Sequence, residues 1–133
     1  WEIAQTKQID MEFEVSPDSF GRIQSIDIIK LFSNLIDNAV EATMELPVEL
    51  RKIKVVCKKI FNIYHFEVMN SGNPIPQKDL KKIFLSGFTT KASEDKSRGN
   101  GLAIVQEIVN RYSGEIQVET KKQTTLFRIL IPS

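Results

Sequence analysis

Asn34-Leu35-Ile36-Asp37-Asn38-Ala39-Val40-Glu41 is the stretch on which the reading of this chain turns. It lies inside 28–44, where Ile28, Leu31, Phe32, Leu35, Ile36, Ala39 and Val40 recur at spacings of three and four. That period makes one apolar stripe on a helix. Ser25 or Asp27 is placed to cap its start, and Pro47 marks its exit. Asn34, Asn38 and Glu41 fall at i, i+4 and i+7, so they line one face beside the apolar stripe. Amide oxygens on successive turns can serve a hard cation such as Mg2+. A solvated polar stripe would have the same spacing.

Outward from this helix the periods change. Residues 9–15 alternate apolar and polar, as a half-buried strand does, and 17–21 ends it with Pro17 and Gly21. Residues 53–56 and 64–68 are strand-like neighbours, expected to pair antiparallel. Residues 70–76, with Asn-Ser-Gly and two prolines, form a loop, and 77–85 is a short helix candidate. Residues 86–101 have no clear period and are rich in Gly, Ser, Thr and charge, which suits a mobile loop. Residues 102–112 are helical again, with Ile104, Val105, Ile108, Val109 and Tyr112 on one face. Gly114 is placed to end that helix in the left-handed conformation. Residues 115–120 and 125–131 are strands joined by a polar turn. The order predicts an α/β two-layer sandwich, a mixed and mostly antiparallel sheet covered on one face by helices.

Two further constellations can carry chemistry. Asn70-Ser71-Gly72-Asn73-Pro74-Ile75 directly follows a strand. Asn70 could face the edge of a base there, and Gly72 would let the backbone approach it. A plain turn reads the same way. Gly99-Asn100-Gly101 leads straight into a helix, where free amides and glycines suit an anion. Gly87-Phe88-Thr89-Thr90-Lys91 upstream offers hydroxyls and an ammonium for phosphate, or is an ordinary surface loop.

Composition sets bounds on these readings. The chain has 133 residues, enough for one domain with one core. Lys and Arg number 18 against 17 Asp and Glu, a net charge of +1 that gives no general drive toward nucleic acid or anionic lipid. The single Cys57 forms no internal disulfide and reads as a small buried hydrophobe. With His65 it is too little for a Cys/His metal site. No apolar run reaches the ~20 residues a membrane helix needs. The chain begins at Trp1 and reads as a fragment of a longer protein, a cytoplasmic domain whose parent is expected to be anchored in the cell membrane.

The ordered set resembles the GHKL superfamily of gyrase, Hsp90, histidine kinases and MutL. Residues 34–42 look like its N box, and 70–75 stand where its first glycine box would be. Phe84, Phe88 and Thr89-Thr90-Lys91 look like the F box and the start of the ATP lid, and 98–105 look like the second glycine box. The likeness covers about 9–131 of a single domain, with a lid at about 86–101. It implies the Bergerat fold, with ATP and Mg2+ as ligands. By resemblance, Asn38 would hold the metal with Asn34 beside it near the phosphates. Asn70 would accept from the adenine amino group, with Gly72 and Ile75 in the adenine pocket. Phe88, Thr90, Lys91, Gly99, Gly101 and Leu102 would surround the nucleotide from the lid side. Asn70 stands where the family usually has Asp, and Pro74 where it usually has a second Gly. An amide still accepts that bond, without the charge.

The resemblance also implies a reaction. Gyrase-like and MutL-like members usually carry a Glu base four residues before the magnesium Asn. Here Asn34 holds that place, and an amide accepts no proton at useful pH. A neutral histidine needs no strong base, so the expectation is a protein histidine kinase, with Asn34, Asn38 and Lys91 as its catalytic set. His65, in a strand between Tyr64 and Phe66, does not suit the acceptor, which is expected on a separate helical dimerisation domain. A homodimeric parent and a response regulator follow as partners. Gly-Phe-Thr-Thr-Lys paired with Asn-Gly-Leu-Ala-Ile-Val is most similar to the peptide quorum-sensing branch, the accessory gene regulator sensor type. A nucleotide-gated interaction module of the anti-sigma or degenerate GHKL kind is the alternative.

Overall fold

In the computed structural model, residues 8–16, 20–73, 75–80, 82–83 and 101–133 are described. Alternating residues build the strands β1 (Asp10–Val15), β2 (Lys52–Ile60), β3 (Ile63–Ser71), β4 (Glu115–Lys121) and β5 (Thr124–Pro132). They form one sheet in the order β1-β2-β3-β5-β4. β1 runs parallel to β2, and every other neighbour is antiparallel. The parallel step follows from the long connection between β1 and β2, which contains helix α1 (Ser25–Thr43). A second helix, α2 (Gly101–Arg111), packs on α1 and β4. The expected two-layer arrangement is what forms.

Period two decides which face is covered. Tyr64, Phe66, Val68 and Asn70 alternate into the buried side of β3, and Thr125, Phe127, Ile129 and Ile131 do so on β5. Against them α1 lays Leu31, Leu35, Ile36, Ala39 and Val40, and α2 lays Val105, Ile108 and Val109. Phe66, fully buried, is the centre of an aromatic group: Phe20 stacks on it at 5.8 Å and Phe32 meets it edge-on at 5.4 Å. The other face carries a charged cluster around Arg128, which bonds Glu67 at 3.3 Å and Glu119 at 3.3 Å. His65 is on that second face, paired in register with Lys58 and Leu130. Burial and the nearby Lys58 hold its imidazole below the usual range.

Helix boundaries depart from the sequence expectations in three places. α1 starts earlier than 28, and neither Ser25 nor Asp27 caps it. Gln24 holds the cap position with no side-chain bond, and Ser25 is already helical. Asp27 instead turns inward, because partners 84 and 85 residues away claim it. Arg111 reaches Asp27 Oδ1 at 2.7 Å, and the Tyr112 hydroxyl donates to Asp27 Oδ2. At the end of α2 the left-handed residue is Ser113, with φ of 58°, and not Gly114. Gly114 is needed for space, since a Cβ there would lie 2.7 Å from the Leu130 carbonyl oxygen. The short helix expected over 77–85 is a 3-10 turn at Gln77–Asp79, and 81, 84 and 85 are outside the described residues.

Asp27 gives the fold a pH signature. Its carboxyl is held below the usual value of 3.8 by the Tyr112 hydroxyl, with Arg111 helping and burial opposing. A carboxyl lowered on folding contributes stability above its unfolded value and loses it as pH falls through the folded one. Tyr112 is raised above its usual 10.0 by burial and by Asp27, so its contribution is lost only in strong base. Urea unfolding should therefore show the parent more stable than Asp27→Asn at neutral pH, the gap closing below 3.8. A gap that ignores pH would contradict the ionised clamp.

Candidate functional site

The side of α1 that neither enters the core nor fully faces solvent carries the amides. Asn34, Asn38, Glu41 and Ala42 are all half-buried along it. Each end of this strip meets a glycine from another element. At Asn34 the neighbour is Gly101, the first residue of α2, where a Cβ would lie 3.0 Å from Asn34 Oδ1. At Ala42 it is Gly72, just past β3, where a Cβ would lie 3.0 Å from the Ala42 carbonyl oxygen and 3.2 Å from Asn70 Nδ2. Gly72 has φ of 154°, which disfavours other residues. Asn34 and Ala42 are eight residues apart, about 12 Å of helix. A strip of that length can take a base at one end and phosphates at the other.

Two of the amides have a fixed direction. Asn34 Nδ2 donates to the Lys30 carbonyl at 2.7 Å. Asn70 is 1% exposed, and its Nδ2 donates to the Ser71 carbonyl at 3.0 Å. In both, the nitrogen is committed to backbone and the oxygen is the end left to accept. The Asn70 end is braced further. The Ser71 hydroxyl joins Thr43 Oγ1 at 2.8 Å, takes the Lys52 amide at 2.8 Å and donates to the Leu50 carbonyl at 2.7 Å. The Gly72 amide bonds the Gln123 carbonyl at 2.9 Å. These bonds tie the end of β3 to α1, to β2 and to the β4–β5 turn.

Of the residues singled out from the sequence, Asn34 and Gly101 come together at one end and Asn70 and Gly72 at the other, with Asn38 between them on α1. Ile75 and Leu102 are half-buried against the core. Phe84, Phe88, Thr90, Lys91 and Gly99, with nearly all of the expected lid, lie outside the described residues. Thr125 was missed. It is 3% exposed and directly opposite Asn70 in the β3–β5 register. The signal was in the alternation: the buried stripes of β3 and β5 each end in one polar residue, at the same end of the sheet. Among the described residues, no group of three acidic, His or Cys side chains could hold a metal. A cation here would rest on amide oxygens and on its other ligands, which suits Mg2+.

Residues 23–133 match the family of histidine kinase-, DNA gyrase B- and HSP90-like ATPases. The chain belongs to that family. It is 30% identical over 122 residues to the sensor protein CitS of Halalkalibacterium halodurans, spanning 88% of this chain and 22% of that protein. It is 36% identical over 117 residues to the sensor histidine kinase DcuS of Escherichia coli K12, spanning 87% and 21%. The catalytic domain of histidine kinase ThkA superposes with a TM-score of 0.80 at 31% identity, covering 98% of this chain and 83% of that one. ThkA in complex with the response regulator protein TrrA aligns over 98% of this chain and 36% of that one, with a TM-score of 0.73. The chain thus spans about a fifth of the length of these two relatives. In sequence and fold it is the ATP-binding catalytic domain of a histidine kinase.

The Gly101 contact yields a test in which stability and binding move oppositely. Gly101→Ala adds a Cβ against Asn34 Oδ1. Alanine also favours the helix by up to about 1 kcal/mol. Thermal unfolding should hold or rise, while ATP affinity measured by calorimetry falls severalfold. Unchanged affinity would separate Gly101 from the ligand strip.

Proposed function

We propose that the domain binds ATP with Mg2+ along α1 and transfers the γ-phosphoryl group to a histidine on the parent protein's helical dimerisation domain. The observation that carries this is the strip itself: an amide pair on α1 between two glycine-lined approaches, with oriented amide oxygens at both ends. Asn70 accepts from the adenine amino group. Gly72 and Ile75 shape the base end. Asn38 supplies an amide oxygen to the metal, and Asn34 Oδ1 lies beside it with Gly101 and Leu102. Mg2+ would neutralise phosphate charge as it shifts in the transition state. Phe88, Thr90, Lys91 and Gly99 complete this assignment by resemblance.

The choice of acceptor follows from Asn34. An amide takes no proton from water or a hydroxyl, whereas a neutral imidazole needs no such help. Catalysis then rests on positioning and charge stabilisation. The remaining partners are a second copy of the parent and a response regulator, for which the ThkA–TrrA complex is the support. Membrane anchoring of the parent is part of the same reading. It rests on the resemblance to sensor kinases alone, and this chain spans about a fifth of CitS and of DcuS. Among the described residues no helix is long and apolar enough to cross a membrane. The quorum-sensing assignment rests on 87–91 with 100–105 alone, and CitS and DcuS do not add to it.

Two measurements test the reading. In the full-length protein, Asn38→Ala should abolish phosphohistidine formation from ATP with magnesium while the far-UV spectrum of the domain stays unchanged. Normal activity in that variant would remove Asn38 from the metal. Asn70→Ala should cost about 1 to 3 kcal/mol of ATP binding by leaving a base edge unpaired, roughly fivefold to 150-fold. Asn70→Asp should bind as well or better, since a charged acceptor makes a stronger bond. GTP should bind poorly, because its base presents a carbonyl where adenine presents the amino group. Equal affinity for both nucleotides, with no loss in the Ala variant, would take Asn70 out of the site.

A further inference from the structure

The far end of α2 is held in a way that core packing alone does not require. Asp27 is 3% exposed, yet it is a carboxylate, bonded by Arg111 and by the Tyr112 hydroxyl. The Gln24 amide donates to that same hydroxyl at 3.1 Å. The Arg22 guanidinium sits 5.4 Å from the centre of the Tyr112 ring and donates to the Tyr112 carbonyl at 3.0 Å and the Pro132 carbonyl at 2.8 Å. The start of α1, the end of α2 and the end of β5 therefore meet at one polar joint. An ion pair with one buried partner is weak evidence for stability, since apolar residues of similar size often do as well as buried ion pairs. What it adds is direction. Val105, Ile108 and Val109 are apolar contacts that tolerate sliding, and a fork of bonds to one carboxylate does not.

The joint is linked to the ligand strip through two helices. Asp27 and Asn34 are seven residues apart, two turns along the same side of α1 and about 10 Å. Arg111 and Gly101 are the two ends of α2, about 15 Å apart. α2 runs antiparallel to α1, with its last residue at Asp27 and its first at Asn34. We infer that Asp27, Tyr112 and Arg111 are positioning residues that set the amino end of α2 against Asn34, and so tune the phosphate and metal half of the site without touching the ligand. This rests on the ATP-binding reading above. The base half is built from Asn70, Ser71, Gly72 and Thr43, and among the described residues its hydrogen bonds run to α1, to β2 and the turn before it, and to the β4–β5 turn, none to α2.

The separation of the two halves supplies the test. Adenosine reports the base half alone, and Mg·ATP reports both. Each is titrated by calorimetry against the parent chain, Tyr112→Phe, Arg111→Gln and Arg111→Lys, with thermal melts showing that each is folded. Tyr112→Phe and Arg111→Gln should weaken Mg·ATP about tenfold and leave adenosine within about twofold. Arg111→Lys, which keeps a charge for Asp27, should recover part of the loss. Arg111 is half exposed, so its variants serve if Tyr112→Phe does not fold. Equal weakening of both ligands would mean a merely structural joint and overturn the inference. So would unchanged Mg·ATP binding in folded variants, which would leave the ATP reading standing. A parent that binds neither ligand would overturn the ATP reading, and the inference with it.

Discussion

Helix α1 is both the wall of the core and the floor of the proposed ligand strip, and the two duties cannot be separated. Leu31, Leu35, Ile36, Ala39 and Val40 are buried between the sheet and α2. A shift of one residue would turn each of them by about 100° and bury Asn34 or Asn38 in their place. The cost of burying an amide without partners therefore fixes the rotation of α1. The amides lie on the half-buried side of α1 because they are not compatible with a sealed core. Everything else in the site is placed by reference to this helix: Gly101 by its approach to Asn34, and Gly72 by its approach to Ala42.

The same economy governs amide direction. A free asparagine side chain can present either end, and a site that needs an acceptor must exclude the donor end. Here backbone carbonyls do this, Lys30 for Asn34 and Ser71 for Asn70. Each bond is local, within four residues or one. The selection of the oxygen end therefore does not depend on distant packing, though the position of each side chain does.

This division explains what was legible in the sequence. Periodicities of 3.6 and 2 fixed the helices, the strands and the covered face, because each reports one element against one core. Asn34, Asn38, Asn70 and the glycines stood out because their spacing is local. Asp27 was misjudged because its polar side chain at the head of a helix fits a cap equally well. Only contact with Arg111 and Tyr112, 84 and 85 residues on, turns it inward. Gly114 was misjudged for a related reason. Its proximity to Leu130 depends on how α2 lies against β5, which no local pattern encodes. Thr125 escaped because its significance is its register opposite Asn70, a pairing between strands 55 residues apart.

The two amides at the ends of the strip share a physical consequence. Asn34 and Asn70 are uncharged, so the strip carries no fixed negative charge at either position. A nucleotide triphosphate is strongly anionic, and a carboxylate near its phosphates is attractive only through an intervening metal or proton. At those two positions the proposed ligand would be held by dipoles. Compensation of phosphate charge would then come from the metal, from the backbone amides at the head of α2 and, by resemblance, from Lys91. That makes the placement of α2 consequential for the phosphate end of the strip. A dipole's pull falls off faster with distance than a charge's, so a neutral site is the less forgiving of a displaced helix.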